Sequence, residues 1–315
     1  MIITRSPLRI TLGGGGTDVP SYYREHGGFC VAAAINKYVY ITLHQTFEPG
    51  ITLKYSKVER VKSVDEIEHP IFREALKMMN MTDPHLEIAS HADIPAGTGL
   101  GSSSAFTTAL IKALYAYQGM DAPAHTIAQA ACEVEIIRLN GNIGKQDQFM
   151  AAFGGINSLT FCADGTTEVE KLRLSTGTQN DLESNLLLFF TGFTRQADDV
   201  IKTQTVDNLD KIRNAGHAMR DTILTGDMYK FSEALDLQWR LKLERNPNFD
   251  PRIIEWYTLG KKHAGGGKLV GAGGGGFLMF HSKYGKENLR AAMHKAGLKE
   301  VRFMFDHEGT KVVCQ

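Results

Sequence analysis

The lysine-bearing phosphate loop G-x-x-x-x-G-K-[ST] occurs nowhere in the 315 residues of this chain, so any phosphate chemistry must rest on another device. Net charge is also missing: 35 Lys and Arg stand against 35 Asp and Glu. That balance disfavours nucleic-acid or membrane-surface partners, and an anionic ligand must be met by a local cluster of cations. The four cysteines, Cys30, Cys132, Cys162 and Cys314, form no C-x-x-C pair. They suggest reduced thiols rather than a zinc site or a disulfide framework. The eleven histidines show no metal-ligand spacing. The opening MIITRSPLRITL has no long apolar core of a signal peptide, and no uncharged apolar run approaches a membrane span. A cytoplasmic protein is expected.

Glycine, by contrast, is concentrated. Three segments stand out: GGGGT (13–17), GTGLGSSS (97–104) and GAGGGG (271–276). Runs of four glycines are costly to order, so a purely structural chain would seldom carry two of them. In the middle segment, Gly97, Thr98, Gly99, Leu100 and Gly101 lead into Ser102, Ser103 and Ser104 at the start of an amphipathic stretch. Free N–H groups and serine hydroxyls at a helix start make a cradle for phosphate.

The apolar and charged fractions, 43% and 22%, are those of a globular protein long enough for two domains. Strand signals at 38–47 and 51–56 flank Glu48-Pro49-Gly50, which reads as a hairpin. A helix is expected at 70–80 and a half-buried strand at 86–94 feeding the glycine–serine loop. Helices at 102–118 and 123–139 and strands at 156–161 and 168–174 follow. Beyond 180 come a buried strand (185–192), helices over 196–225, 227–245 and 250–264, and two strands joined by glycines within 268–281. A helix at 285–296 and strands at 300–306 and 310–314 close an α+β pattern. The expected division is 1–170 and 171–315, packed over a shared cleft. Trp239 and Trp256 are expected in the core or an interface, and Asp198-Asp199 at a helix start.

Two carboxylates invite chemistry. Asp147, in GKQDQF, could take a hydroxyl proton, although a helix N-terminal Asp is the plainer reading. Glu135, on an otherwise apolar stretch, could face a phosphate loop and bind Mg²⁺, with Glu133 as its competitor.

SPLRITLGGGGTD (6–18), PAGTGLGSSSA (95–105) and KLVGAGGGGF (268–277) resemble, in order and spacing, the three motifs of the GHMP kinases. The resemblance implies a two-domain fold: an N-terminal domain like part of ribosomal protein S5, with a left-handed β-α-β crossover, and a ferredoxin-like C-terminal domain. It implies ATP on the 95–105 loop, Mg²⁺ on Ser103 and Glu135, Asp147 as catalytic aspartate and Arg9 as its basic neighbour. In galactokinases a Glu-His pair precedes Thr-Asp; here Gly15 and Gly16 precede Thr17 and Asp18, which argues against galactose and keeps a sugar or sugar phosphate favoured. The wording of the first motif, with GKQDQF and TGFTRQA, resembles one branch in particular, the heptose 7-phosphate 1-kinases and their fucokinase-like relatives. That branch implies phosphorylation of an anomeric hydroxyl, on a route to a GDP-heptose. A phosphorylated acceptor needs cations in its pocket: Lys145 and Arg195 are the first candidates, Arg5 and Arg24 stand behind them, and Gly274 and Gly275 complete the acceptor wall. The alternatives are an unphosphorylated sugar acceptor, a non-catalytic ATP and sugar sensor, and a decarboxylase, which would want an apolar wall. A homodimer is left open.

Overall fold

The computed structural model describes residues 1–81, 85–193, 206–246, 249–271 and 275–315. Its organising element is an extended pair, β1 (Ile2–Gly13) and β2 (Gly28–Gln45), antiparallel and bridged by the short helix α1 (Pro20–His26). Alternation along β2 sends Cys30, Ala32 and Ala34 to one core and Phe29, Val31, Ala33 and Ile35 to another. A strand buried on both faces must be covered on both, which dictates a layered molecule.

The 18 residues of β2 serve two partners on the edge away from β1: β6 (Ile156–Phe161) along Gly28–Ala33 and β5 (Leu86–Ala92) along Val39–Gln45. β3 (Ile51–Lys54) lies beyond β5 and parallel to it, with β4 (Val58–Val61) outermost, and β7 (Thr167–Lys171) extends β6. The expected hairpin between 38–47 and 51–56 is therefore not formed. Glu48-Pro49-Gly50 does turn the chain, but β5 takes the edge of β2 with Leu86 and Ile88 facing the core, and the β3 hairpin partner is β4. The connection from β3 through α2 (Pro70–Met78) to β5 is a β-α-β unit, since those two strands are parallel neighbours.

One face of this sheet is covered by α2, α3 (Ser102–Tyr117), α4 (Ala124–Cys132) and α5 (Gln146–Phe153). The expected helix over 123–139 changes type partway: after Cys132 the backbone runs as a π-helical turn, Glu133–Arg138, which buries Val134 and Glu135. On the other face lie α6 (Thr176–Asn185), which strand and helix periodicity did not foretell, and the pair α7 (Val206–Thr225) and α8 (Met228–Arg245). With them sits an antiparallel sheet of β8 (Leu186–Phe190), β9 (Gly266–Leu269), β10 (Phe277–His281) and β11 (Lys299–Val301), in the order β11-β8-β10-β9. α9 (Pro251–Lys261) and α10 (Lys286–Lys295) close the far side of that sheet around Phe189, Phe280 and Trp239. Trp239 is core, as expected, and Trp256 packs at the edge of that cluster. No helix among the described residues is long and apolar enough to cross a membrane.

The last strand, β12 (Lys311–Cys314), returns to pair with β1. The expected strand at 300–306 stops at Val301 because the chain there bends back to β2: the N–H of Asp306 donates to the Ala34 carbonyl and the N–H of Gly155 to the Asp306 carbonyl. The buried Asp306 carboxylate accepts from the Gly309 N–H at 2.7 Å, the Glu308 N–H at 3.1 Å and the Tyr38 hydroxyl at 2.9 Å. Asp306→Ala should lower unfolding free energy by about 2–3 kcal/mol, since it strips an anionic acceptor from three donors, the Gly309 N–H buried and the other two partly so. Urea denaturation checks this, and a loss below about 0.5 kcal/mol would show that the turn holds without its carboxylate.

Candidate active site

The loop between β5 and α3 needs its glycines. Gly97, Gly99 and Gly101 all sit at φ between 76° and 79°, a region that side-chain-bearing residues avoid. Gly101 is the N-cap of α3, and the amides of the first turn are left with only outward directions. Around it the serines divide the work. Ser102 is buried and its Oγ has no partner among the described residues. Ser103 faces solvent and donates to Glu135 Oε1 at 2.8 Å. Ser104 is buried beside the same carboxylate. Thr98 and Leu100 are interior: the Thr98 hydroxyl caps the Pro95 carbonyl at 3.1 Å, and the Leu100 carbonyl accepts the Arg9 N–H at 3.0 Å.

The third glycine segment is locked to this loop by backbone contact. A Cβ on Gly271 would lie 2.5 Å from the Gly99 Cα, and one on Gly276 would lie 2.0 Å from the Thr98 carbonyl oxygen. Neither position tolerates a side chain. Gly275 packs instead on Phe193, and Gly274 lies outside the described residues.

Arg9, inward-facing on β1, connects this loop to Asp147 in the first turn of α5. Its Nε and Nη2 donate to Asp147 Oδ1 and Oδ2, both at 2.7 Å, while Nη1 donates to the Gly99 carbonyl at 2.5 Å. Such a fork fixes a carboxylate in both distance and plane. Gln146 adds a donor to Asp147 Oδ1 at 3.1 Å and holds Thr11 at 2.7 Å. Asp147 nonetheless keeps 26% of its side chain exposed, and a Cβ on Gly101 would sit 3.2 Å from its Oδ2. A held, reachable carboxylate thus lies against the start of α3.

Glu135 is 4% exposed, and its carboxylate accepts from neutral donors, among them the Ser103 hydroxyl at 2.8 Å and the Gln148 amide at 2.7 Å. Burial pushes its pKa above the usual carboxylate value, and the hydrogen bonds pull it back in part. Glu133 points outward to Arg138 instead. A buried carboxylate and an adjacent hydroxyl are the oxygen donors that a hard divalent cation takes, so these residues fit Mg²⁺. Among the described residues no cluster of three or more His, Cys, Asp or Glu is assembled around it.

The first glycine segment forms the opposite wall. Asp18 is buried, accepting from the Gly16 N–H at 3.2 Å and the Gln146 N–H at 3.0 Å; burial, with a smaller push from Asp147, raises its pKa. Gly15 and Gly16 are half-exposed. Thr17 is not on the wall. It is fully buried, with its Oγ1 2.9 Å from the carbonyls of Gly14 and Phe29 and accepting the Phe29 N–H at 3.0 Å, so it fastens the loop to β2.

Of the expected cations, those among the described residues do not converge here. Lys145 donates its ammonium to the Gly165 carbonyl in the β6–β7 turn and lies over the Tyr23 ring. Arg5 pairs with Glu308 at 2.6 Å near the surface, and Arg24 is exposed at the end of α1. Arg195 and Asp198-Asp199 lie outside the described residues. Instead, α8 and β9 supply three buried cations that motif reading missed: Lys242, Arg245 and Lys268. Burial first, then Arg9 and Arg245, push the Lys268 ammonium down to about 7, and Lys242 is displaced downward for similar reasons. The only sequence hint is Lys268, which opens KLVGAGGGGF.

Residues 66–155 match the family model of the GHMP kinases N terminal domain. The chain is 28% identical to the D-glycero-alpha-D-manno-heptose 7-phosphate kinase of Campylobacter jejuni, over 98% of each chain. It is 24% identical to the bifunctional fucokinase/GDP-fucose pyrophosphorylase of Arabidopsis thaliana, over 88% of this chain and 29% of that one. The crystal structure of a D-glycero-D-manno-heptose 1-phosphate kinase from Bacteroides thetaiotaomicron superposes with a TM-score of 0.84 at 25% identity, covering 100% of this chain and 99% of the other.

A buried carboxylate kept without a cation is a local cost to the fold. Glu135→Gln should therefore raise the melting temperature of the ligand-free protein by about 1–2 °C, the shift that roughly 1 kcal/mol gives at about 2 cal/mol/K of unfolding entropy per residue. The Ser103 hydroxyl can turn to accept from the new amide. Differential scanning calorimetry without nucleotide or metal makes the comparison, and a fall in melting temperature would mean that the protein itself satisfies the charge.

Proposed function

We propose that this chain, which has the GHMP kinase fold and N-terminal domain, transfers the γ-phosphoryl group of ATP to the anomeric hydroxyl of a sugar. The favoured acceptor is D-glycero-α-D-manno-heptose 7-phosphate, and the product is then the 1,7-bisphosphate. The single observation that carries the reaction type is the placement of Asp147, forked by Arg9 and lying against the glycine–serine start of α3. A phosphate cradle and a proton acceptor side by side are what phosphoryl transfer requires, because its catalysis is mostly positioning and electrostatics. The choice of acceptor is supported by the 28% identity to the Campylobacter heptose kinase along the full length of both chains.

In this reading the γ- and β-phosphates lie over the α3 amides and Ser102, whose buried hydroxyl otherwise lacks a partner among the described residues. Ser103 and Glu135 would hold Mg²⁺, which when bound neutralises charge on the phosphate oxygens. Asp147 accepts the proton of the anomeric hydroxyl as that oxygen bonds to the γ-phosphorus, the bond from phosphorus to the β–γ bridging oxygen breaks, and ADP leaves. Arg9 holds both carboxylate oxygens so that one faces the acceptor, and Asp18, with Gly15 and Gly16, bounds the sugar. Residues 1–170 provide the ATP-binding part and 171–315 the second part, apart from the returning strand β12. The enzyme is assigned to the cytoplasm. A sensor without catalysis is disfavoured, since the chain carries both the pair Arg9–Asp147 and the pair Ser103–Glu135, each held by hydrogen bonds.

ATP turnover with heptose 7-phosphate, fucose, mannose and galactose tests the reading. Heptose 7-phosphate should give the highest kcat/KM, fucose as the best acceptor would move the assignment to the fucokinase side, and no turnover with any sugar would refute the kinase. Asp147→Asn should lower kcat by roughly 10²–10⁴-fold while ATP affinity stays within about twofold. A collapse of ATP affinity would assign Asp147 a structural role.

A further inference from the structure

Helix α8 turns Gln238, Lys242 and Arg245 to one side, at the spacing i, i+4, i+7, and that side lies against the first glycine segment. Gln238 Oε1 accepts the Gly14 N–H at 3.4 Å, and a Cβ on Gly13 would come within 3.2 Å of its Nε2. A Cβ on Gly16 would lie 2.5 Å from Arg245 Nη1. Lys268 of β9 reaches the same place, donating to the Leu12 carbonyl at 3.1 Å, and Lys242 donates to the carbonyls of Leu269 and Gly271 at 2.8 and 2.5 Å. All four side chains are more than nine-tenths buried. Gathering three cations in one buried place is unfavourable unless something anionic is met there. The partners of the two lysines among the described residues are backbone carbonyls, which leaves one N–H of Lys242 and two of Lys268 to spare. Gln238 Nε2 is buried with no acceptor among the described residues. Asp18 is a carboxylate whose charge Arg245 feels, and it is already engaged by two backbone N–H groups.

We propose that Arg245, with Lys242, Lys268 and Gln238, forms the receptor for a phosphomonoester that the acceptor sugar already carries, at the end remote from its reacting hydroxyl. This rests on the sugar-kinase reading above and names what distinguishes its substrate. The cluster lies beside Gly13–Gly16 and Asp18, the acceptor wall, whereas the nucleotide phosphates have their own donors in the α3 turn. Glycines at 15 and 16 leave that wall low, so an acceptor longer than a hexose can lie across it toward α8. A guanidinium and two ammonium groups withdrawn from water bind a phosphate dianion strongly, through charge-assisted bonds in a low dielectric. The depressed Lys268 ammonium is consistent with a group that regains its proton when an anion arrives.

Two measurements test the receptor. In kinetics, Arg245→Gln should raise KM for heptose 7-phosphate by roughly 30-fold or more and leave KM for ATP within about twofold. The preference for heptose 7-phosphate over unphosphorylated heptose should collapse by the same factor, and Arg245→Lys should restore part of it. Lys268→Met should act in the same direction, which keeps the test available should Arg245→Gln fold poorly. A rise in KM for ATP, or an equal loss for both acceptors, would assign the cluster to the nucleotide or to the fold and overturn the proposal. In calorimetry without ATP, the native protein should bind mannose 6-phosphate more tightly than mannose, and Arg245→Gln should abolish that difference. This second readout needs no turnover, so it stands even if the kinase reading fails. Equal binding of mannose and its 6-phosphate by the native protein would overturn the receptor while leaving the kinase untouched.

Discussion

The fork from Arg9 to Asp147 is the interaction around which this molecule is arranged. Arg9 sits on β1, Asp147 on α5, and the third arm of the guanidinium reaches the Gly99 carbonyl in the loop before α3. Three elements distant in sequence thus meet on one planar group. A guanidinium can do this because it offers five donors in a rigid plane; a lysine in its place could satisfy one direction at a time. The surrounding packing follows from it. β1 must be buried on both faces to bring Arg9 inward, so helices cover one side of the sheet and the α7–α8 layer the other.

Glycine does the second half of the work, by removing side chains where two backbones must touch. The 97–101 loop and the 271–276 segment come together through Gly99, Gly271 and Gly276, and a single methyl group at any of the last two would collide with the facing backbone. At Gly144 the constraint is different: a Cβ there would fall 1.8 Å from the Asp18 carboxylate, so this glycine lets Asp18 lie under the entry to α5. The buried charges are then held in a mostly neutral framework of amides and hydroxyls. Glu135 meets Ser103 and Gln148, Asp18 meets two backbone N–H groups, and the ammonium groups of Lys242 and Lys268 meet carbonyls. Such a site is poised for partners that carry the complementary charge.

How much of this was legible in the sequence depends on whether the signal was local. The glycine–serine loop announced itself because φ > 0 and free amides require particular residue types at particular places. Glu135 and Glu133 could not be separated by residue type; a π-helical turn, invisible to helical periodicity, buries one and leaves the other outside. Lys145 misled because it is two residues from Asp147, yet residues two apart on a helix start point about 200° apart, and its ammonium goes to Gly165. Thr17 kept its motif position, but its hydroxyl is consumed by backbone groups of β2. Lys242 and Arg245, in QWRLKLER, belong to none of the motifs, and only the packing of α8 on Gly13–Gly16 shows them turned inward. The false hairpin after β2 has the same origin: the turn signal is local, while the pairing of β2 with β5 is made across forty residues of intervening chain.

The central claim is that Arg9 acts on the reaction through Asp147 and the loop that Asp147 abuts, as one unit. A double-mutant cycle on kcat, using Arg9→Lys, Asp147→Asn and both together, measures this most directly. Residues that act as a unit give a double variant no slower than Asp147→Asn alone. Losses that multiply, so that the double variant is slower by the product of the two single effects, would contradict the account and give Arg9 and Asp147 independent roles.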